Sequence, residues 1–159
     1  MVETMEVREY FSVEVPDKPG EGARMLAQLK EAGVNLLAFS GFPAGRRAQL
    51  DFVPADGKAF RAAARKAKWR LGQAKKVLLV TGQDRIGVAA DVLGKLAESK
   101  INVTASQAVA AGAGQFGMIF WVKPPDLRRA IKALGLGKAA PAPSAAQAPI
   151  EPPTIGTPH

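Results

Sequence analysis

The sequence predicts an α+β fold of two tandem βαββαβ modules followed by a proline-rich tail. Three observations carry that prediction. The chain has 159 residues and is 47% hydrophobic, enough for one ordinary domain or two small ones. A loop–helix–strand segment recurs at a constant spacing, the distance from Asp17 to Asp84. At that spacing Lys18 meets Arg85, Gly20 meets Gly87, Leu26 meets Leu93, Leu29 meets Leu96, Val34 meets Ile101 and Asn35 meets Asn102. Around each repeat the apolar residues alternate, then follow helical spacing, then alternate again. A register held without a gap through loop, helix and strand marks a duplicated structural unit.

The first copy opens on Tyr10–Val15, where Phe11, Val13 and Val15 face one way and Ser12 and Glu14 the other. That is the pattern of a half-buried strand. Gly20-Glu21-Gly22 starts a helix, with Glu21 at the favourable end of its dipole. Met25, Leu26 and Leu29 form its apolar face, and Gly33 ends it as a left-handed C′ residue. Asn35–Phe42 and Ala48–Val53 read as strands joined by a turn at Gly45-Arg46-Arg47. Asp56 caps a second helix, and a short fourth strand is expected near Lys68–Leu71. The second copy repeats the order with strand Lys76–Thr81, helix Val88–Ser99, strand Ile101–Ala108, strand Phe116–Val122 and helix Asp126–Leu134. No fourth strand is evident after Leu134. The expected boundaries are 8–72 and 75–136 for the modules and 138–159 for the tail. Val77–Val80 and Met118–Val122 are apolar on both faces, so packing between copies or in a homodimer is expected to cover the second face. The last 22 residues hold six prolines, six alanines and two charges, a composition expected to stay disordered.

Catalysis is disfavoured. There is no cysteine, and the single histidine is His159 at the end of the tail. The commonest nucleophile and the commonest general base are therefore missing, and no paired carboxylates suggest an active site. No cofactor or metal site is expected. No apolar run approaches the ~20 residues that cross a bilayer, and residues 1–20 lack the pattern of a secretory signal, so a cytoplasmic protein without a membrane partner is expected.

The net charge of +8 is concentrated. Lys58, Arg61, Arg65, Lys66, Lys68, Arg70, Lys75 and Lys76 fall in one stretch without an acidic residue. Lys58, Arg61, Arg65 and Lys68 make a helical stripe, which is read as a solvated face. Nucleic acid is not expected as a partner. Gln115–Trp121 resembles the third-strand signature of RNA-binding modules, but the matching first strand, Val77–Val80, has no aromatic to stack a base. Phe116, Phe120 and Trp121 are read instead as core and interface residues.

The loop Asp17-Lys18-Pro19-Gly20, its helix, and Gly33-Val34-Asn35 resemble the ACT domain, a ligand-binding regulatory module. Asp84-Arg85-Ile86-Gly87 with Lys100-Ile101-Asn102 follows the same plan, with Ile86 in place of the usual proline. The resemblance covers roughly residues 8–135 and implies a ferredoxin-like fold in each copy. It also implies a free amino acid as ligand, bound between paired modules, in a regulatory homo-oligomer like the glycine cleavage repressors, with a possible protein partner. The expected site is Asp17, Lys18, Pro19, Gly20 and Asn35 together with Asp84, Arg85, Ile86, Gly87 and Asn102. The chemistry suits it: glycine-opened helix starts present backbone N–H groups to a carboxylate, and aspartates face the ammonium. Ordinary turn chemistry is the other reading of the same loop. The alternative function is a basic adaptor that binds nucleic acid or an acidic protein surface without a small ligand.

Overall fold

The computed structural model describes residues 4–135. Six strands and four α-helices follow the chain as β1 (Thr4–Pro16), α1 (Glu21–Glu31), β2 (Leu36–Ala44), β3 (Arg47–Pro54), α2 (Gly57–Lys66), β4 (Lys75–Gln83), α3 (Val88–Glu98), β5 (Val103–Gly112), β6 (Gln115–Val122) and α4 (Leu127–Ala133), with a 3-10 turn at Pro124–Asp126. All six strands belong to one antiparallel sheet in the order β2-β3-β1-β4-β6-β5. The two copies of the repeat therefore share a sheet.

β1 is longer than its sequence signal from Tyr10 onward. Phe11–Pro16 pairs with β3, while Thr4–Tyr10 pairs antiparallel with β4, from Thr4↔Thr81 to Tyr10↔Lys75. The first half of β1 thus fills the fourth-strand place of the second copy, which corrects the expectation that this copy lacks one. The fourth strand expected at Lys68–Leu71 does not form. Lys68 instead closes α2 with φ +58, its N–H bonding Arg65 and the Trp69 N–H bonding Ala64. The chain then runs irregularly past β1, where Gly72 approaches the Ser12 carbonyl. The proposed tail lies outside the described residues.

Alternation sorts the sheet into two faces. On one face Phe11, Val13, Val15, Leu50 and Phe52 pack with Met25 and Leu29 of α1 and Phe60 and Ala64 of α2. On the same face Met5, Leu78, Val80, Met118 and Phe120 pack with Val92 and Leu96 of α3 and Ala130 of α4. Burial of these side chains, at roughly 1.5–3 kcal/mol for each large one, is the main favourable contribution to the fold. Among the described residues the other face has no helix. Val53, Val77 and Ile119 are nonetheless buried there, against Tyr10, Ala38, Leu79 and Trp121.

The sheet covers this second face by curling. Six strands laid flat would put β2 and β5 roughly 24 Å apart, yet Ser40 Oγ of β2 donates to Gln107 Oε1 of β5 at 2.8 Å. The outermost strands of the two copies thus meet over a concave face.

Candidate functional site

Gly20 and Gly87 occupy equivalent places at the starts of α1 and α3, with φ of +90 and +83. Such values favour glycine. Neither helix start receives a side-chain capping hydrogen bond; in α3 the Val88 N–H turns back to the Arg85 carbonyl at 3.3 Å, and the dipole of each helix start favours an acceptor. In the first loop Asp17, Lys18 and Pro19 are exposed, and Lys18 Nζ lies 4.0 Å from Glu21. Glu21 accepts a hydrogen bond from Arg24, and that bond holds its carboxyl below the usual range. In the second loop Arg85 pairs with Asp91 at 2.6 Å, the Asp84 N–H bonds the Gly114 carbonyl at 2.7 Å, and Ile86 is fully exposed.

The loops do not meet. β1 and β4 are antiparallel neighbours, so the loops that follow them lie at opposite ends of the sheet. Asn35 and Asn102 are not beside the loops of their own copies either. Each follows the C-terminus of the helix that its loop begins, and a helix of 11 residues is roughly 16 Å long. Asn35 borders a shallow depression with Lys30 and Leu36 instead, its carbonyl accepting from the Ala55 N–H. The ten residues named from the sequence thus do not form one cluster in a single chain: the two loops lie at opposite ends, and each asparagine lies a helix length from the loop of its own copy.

The concave face holds a second candidate, a cleft of about 780 Å³ between β2–β3 and β5–β6. Asp51 lies in it at 7% exposure, with Ser12 Oγ and Gln49 Nε2 both donating to its Oδ1, at 2.7 and 2.8 Å. Tyr10 and Trp121 meet edge to face with centroids 5.5 Å apart. Burial, and then the charge of Asp51, raise the Tyr10 pKa above 10.0. The Trp121 indole N–H is buried without an acceptor. Sequence reasoning missed this group because it asked only which residues repeat. The available signal was an acid inside an apolar strand: Asp51 stands between Leu50 and Phe52, where alternation turns it to the opposite face.

Several solved structures share this fold. A Bacteroides thetaiotaomicron protein is 18% identical with a TM-score of 0.69, the match covering 82% of this chain and 88% of that one. The regulatory subunit of aspartate kinase from Thermus thermophilus is 17% identical with a TM-score of 0.56, covering 83% and 93%. The chain has a tandem ACT fold. Aspartokinase alpha and beta subunits, at 18% identity and a TM-score of 0.57, match over 84% of this chain and 95% of theirs. No family model and no curated protein matches the sequence. Within this ACT tandem Phe116 and Phe120 are buried on the helix-covered face, whereas Trp121 faces the cleft. In the basic stripe, Arg61 pairs with Glu9 and lies over the Phe11 ring, while Lys58, Arg65 and Lys68 are exposed. Among the described residues no helix is long and apolar enough to cross a membrane.

Proposed function

We propose that this chain is a non-catalytic regulatory protein that binds a free amino acid, with sites built on the Asp17–Gly20 and Asp84–Gly87 loops and completed by a second copy. The observation that carries this reading is the repeated, uncapped helix start behind a left-handed glycine, set in a fold shared with aspartate kinase regulatory subunits. The helix-start amides without a side-chain cap and the dipole of the helix favour a carboxylate, and Asp17 or Asp84 faces the ammonium. Opposed loops in one chain leave each site with a single wall. A partner chain supplies the other wall, and with it an asparagine from the start of its β2 or β5.

The β5 edge suits that partner. It carries no charge and no proline from Val103 to Gly112 and is exposed along almost its whole length, whereas β2 at the other edge contains Pro43. Long uncharged edges without proline pair readily with another strand.

A thermal-shift screen of the common amino acids tests the reading. A ligand at 100 times its Kd adds about 2.7 kcal/mol to stability. One amino acid, or a small related set, is expected to raise Tm, and the Gly20→Ala, Gly87→Ala double variant is expected to lose that response. No rise with any of them would remove the basis for a sensor.

A further inference from the structure

We propose that the cleft over Tyr10, Asp51 and Trp121 is a separate binding site for an aromatic zwitterion, a molecule with an ammonium and a carboxylate on a flat apolar body. This goes beyond the loop sites, with which it shares no residue.

The ammonium is assigned to Asp51. A carboxylate in an apolar strand is costly to keep unless it is hydrogen bonded. Ser12 and Gln49 supply bonds to Oδ1 alone. No described residue donates to Oδ2, and no described cation pairs with the group. Half of a buried carboxylate is therefore left facing the cleft, and a charge-assisted bond from a ligand N–H is the strongest interaction open to it.

The carboxylate is assigned to the indole of Trp121. A buried donor without an acceptor costs about 1–3 kcal/mol, a cost that a ligand oxygen removes. Lys75 and Lys123 line the same cleft and add positive charge for an anionic group. The apolar body is assigned to the space between. Phe42, Val122 and Leu127 give the cleft apolar walls, and the rings of Tyr10 and Trp121, backed by the buried Val53, Val77 and Ile119, offer a face and an edge to an aromatic group. A volume near 780 Å³ falls within the usual range for small-molecule sites.

Three probes dissect the site in the full chain: L-phenylalanine, phenethylamine, which lacks the carboxylate, and 3-phenylpropionate, which lacks the ammonium. The indole N–H resonances read the outcome, because the second tryptophan is an internal control. Trp69 lies on the helix-covered face, and its Nε1 already donates to Gln28 Oε1 at 3.0 Å. L-Phenylalanine is expected to shift the Trp121 signal and leave Trp69 in place. Phenethylamine binds more weakly, and 3-phenylpropionate does not bind. Asp51→Asn keeps an acceptor for Ser12 and Gln49 and is expected to weaken L-phenylalanine at least tenfold. By calorimetry, Trp121→Phe weakens L-phenylalanine more than phenethylamine, since only the former has the carboxylate that the indole meets.

The site is overturned if no probe moves Trp121, if 3-phenylpropionate binds as well as L-phenylalanine, or if Asp51→Asn changes nothing. The Gly20→Ala, Gly87→Ala double variant separates the two readings. Cleft binding survives it, and loop binding survives Asp51→Asn; a Trp121 response lost with the glycines would place the ligand at the loops and overturn the cleft.

Discussion

Lys100 stands where the first copy has Gly33, and it adopts the same left-handed backbone, with φ +54 against +70. Both residues close a helix in the same way. The Gly33 and Val34 N–H groups bond Lys30 and Leu29, and those of Lys100 and Ile101 bond Ala97 and Leu96. A side chain at such a φ costs about 1–2 kcal/mol, part of which glycine gives back as chain entropy. Lys100→Gly is therefore expected to raise stability by about 0.5–1 kcal/mol, measured by urea denaturation. Tyr10 gives a second residue-scale test, since it is the only tyrosine and phenolate absorbance reports it alone. Its folded pKa is raised, first by burial and then by Asp51. The protonated phenol thus contributes stability that is fully present below pH 10 and lost as pH rises through the folded value. The absorbance midpoint is expected above 10.0 in the native protein, and Asp51→Asn moves it down. A native midpoint at or below the free-tyrosine value would contradict the burial of this ring. These two residues differ in how openly the sequence announced them. The Gly33–Lys100 match follows from the repeat, but Tyr10 and Asp51 come together only through the β1–β3 ladder, where Ser12 faces Asp51.

Single elements carry more than the repeat predicts, and β1 carries most. Met5, Val7, Phe11, Val13 and Val15 keep one continuous alternation, but Glu9 interrupts it, so only the second half stands out as a strand. At that interruption β1 changes partner, from β4 on one side to β3 on the other, and Glu9 is satisfied by Arg61 of α2. The start of the chain was legible as an apolar pattern. What it pairs with was not, because partner choice between distant strands has no local signature. Met5, at 8% exposure, belongs to the core of the second copy, with Val92 and Leu96 of α3. Met5→Ala is expected to cost about 2 kcal/mol, at the low end for such truncations because the site is near the sheet end. Hydrogen exchange should quicken in β4 and α3 before it does in α1, although Met5 precedes α1 in sequence. Faster exchange confined to the first copy would mean that β1 does not complete the second.

At the scale of the whole molecule, the duplication gives one curled sheet whose loops point to opposite ends. Because β1 and β4 run antiparallel side by side, the two loops that the sequence named as ligand-binding lie at opposite ends of a single chain. The spacing identified equivalent residues correctly, but equivalence under a two-fold relation does not imply proximity. The proposed loop sites would then be completed by a second chain, and β5 is the edge suited to receive it. Val109 is its exposed large hydrophobic, at 60% exposure, and it pairs inward only with Gly117 of β6. A lysine there is a charge of the kind that blunts natural sheet edges, and because the position is already exposed the fold has little to lose. Light scattering is expected to give a dimer for the native chain, and Val109→Lys is expected to give a monomer with an unchanged circular-dichroism spectrum. The monomer should also lose the thermal response to the loop ligand, since each loop would keep only one wall, while retaining the Trp121 response of the cleft, which one chain builds alone. A native monomer that still answers to the loop ligand would break the link between assembly and sensing.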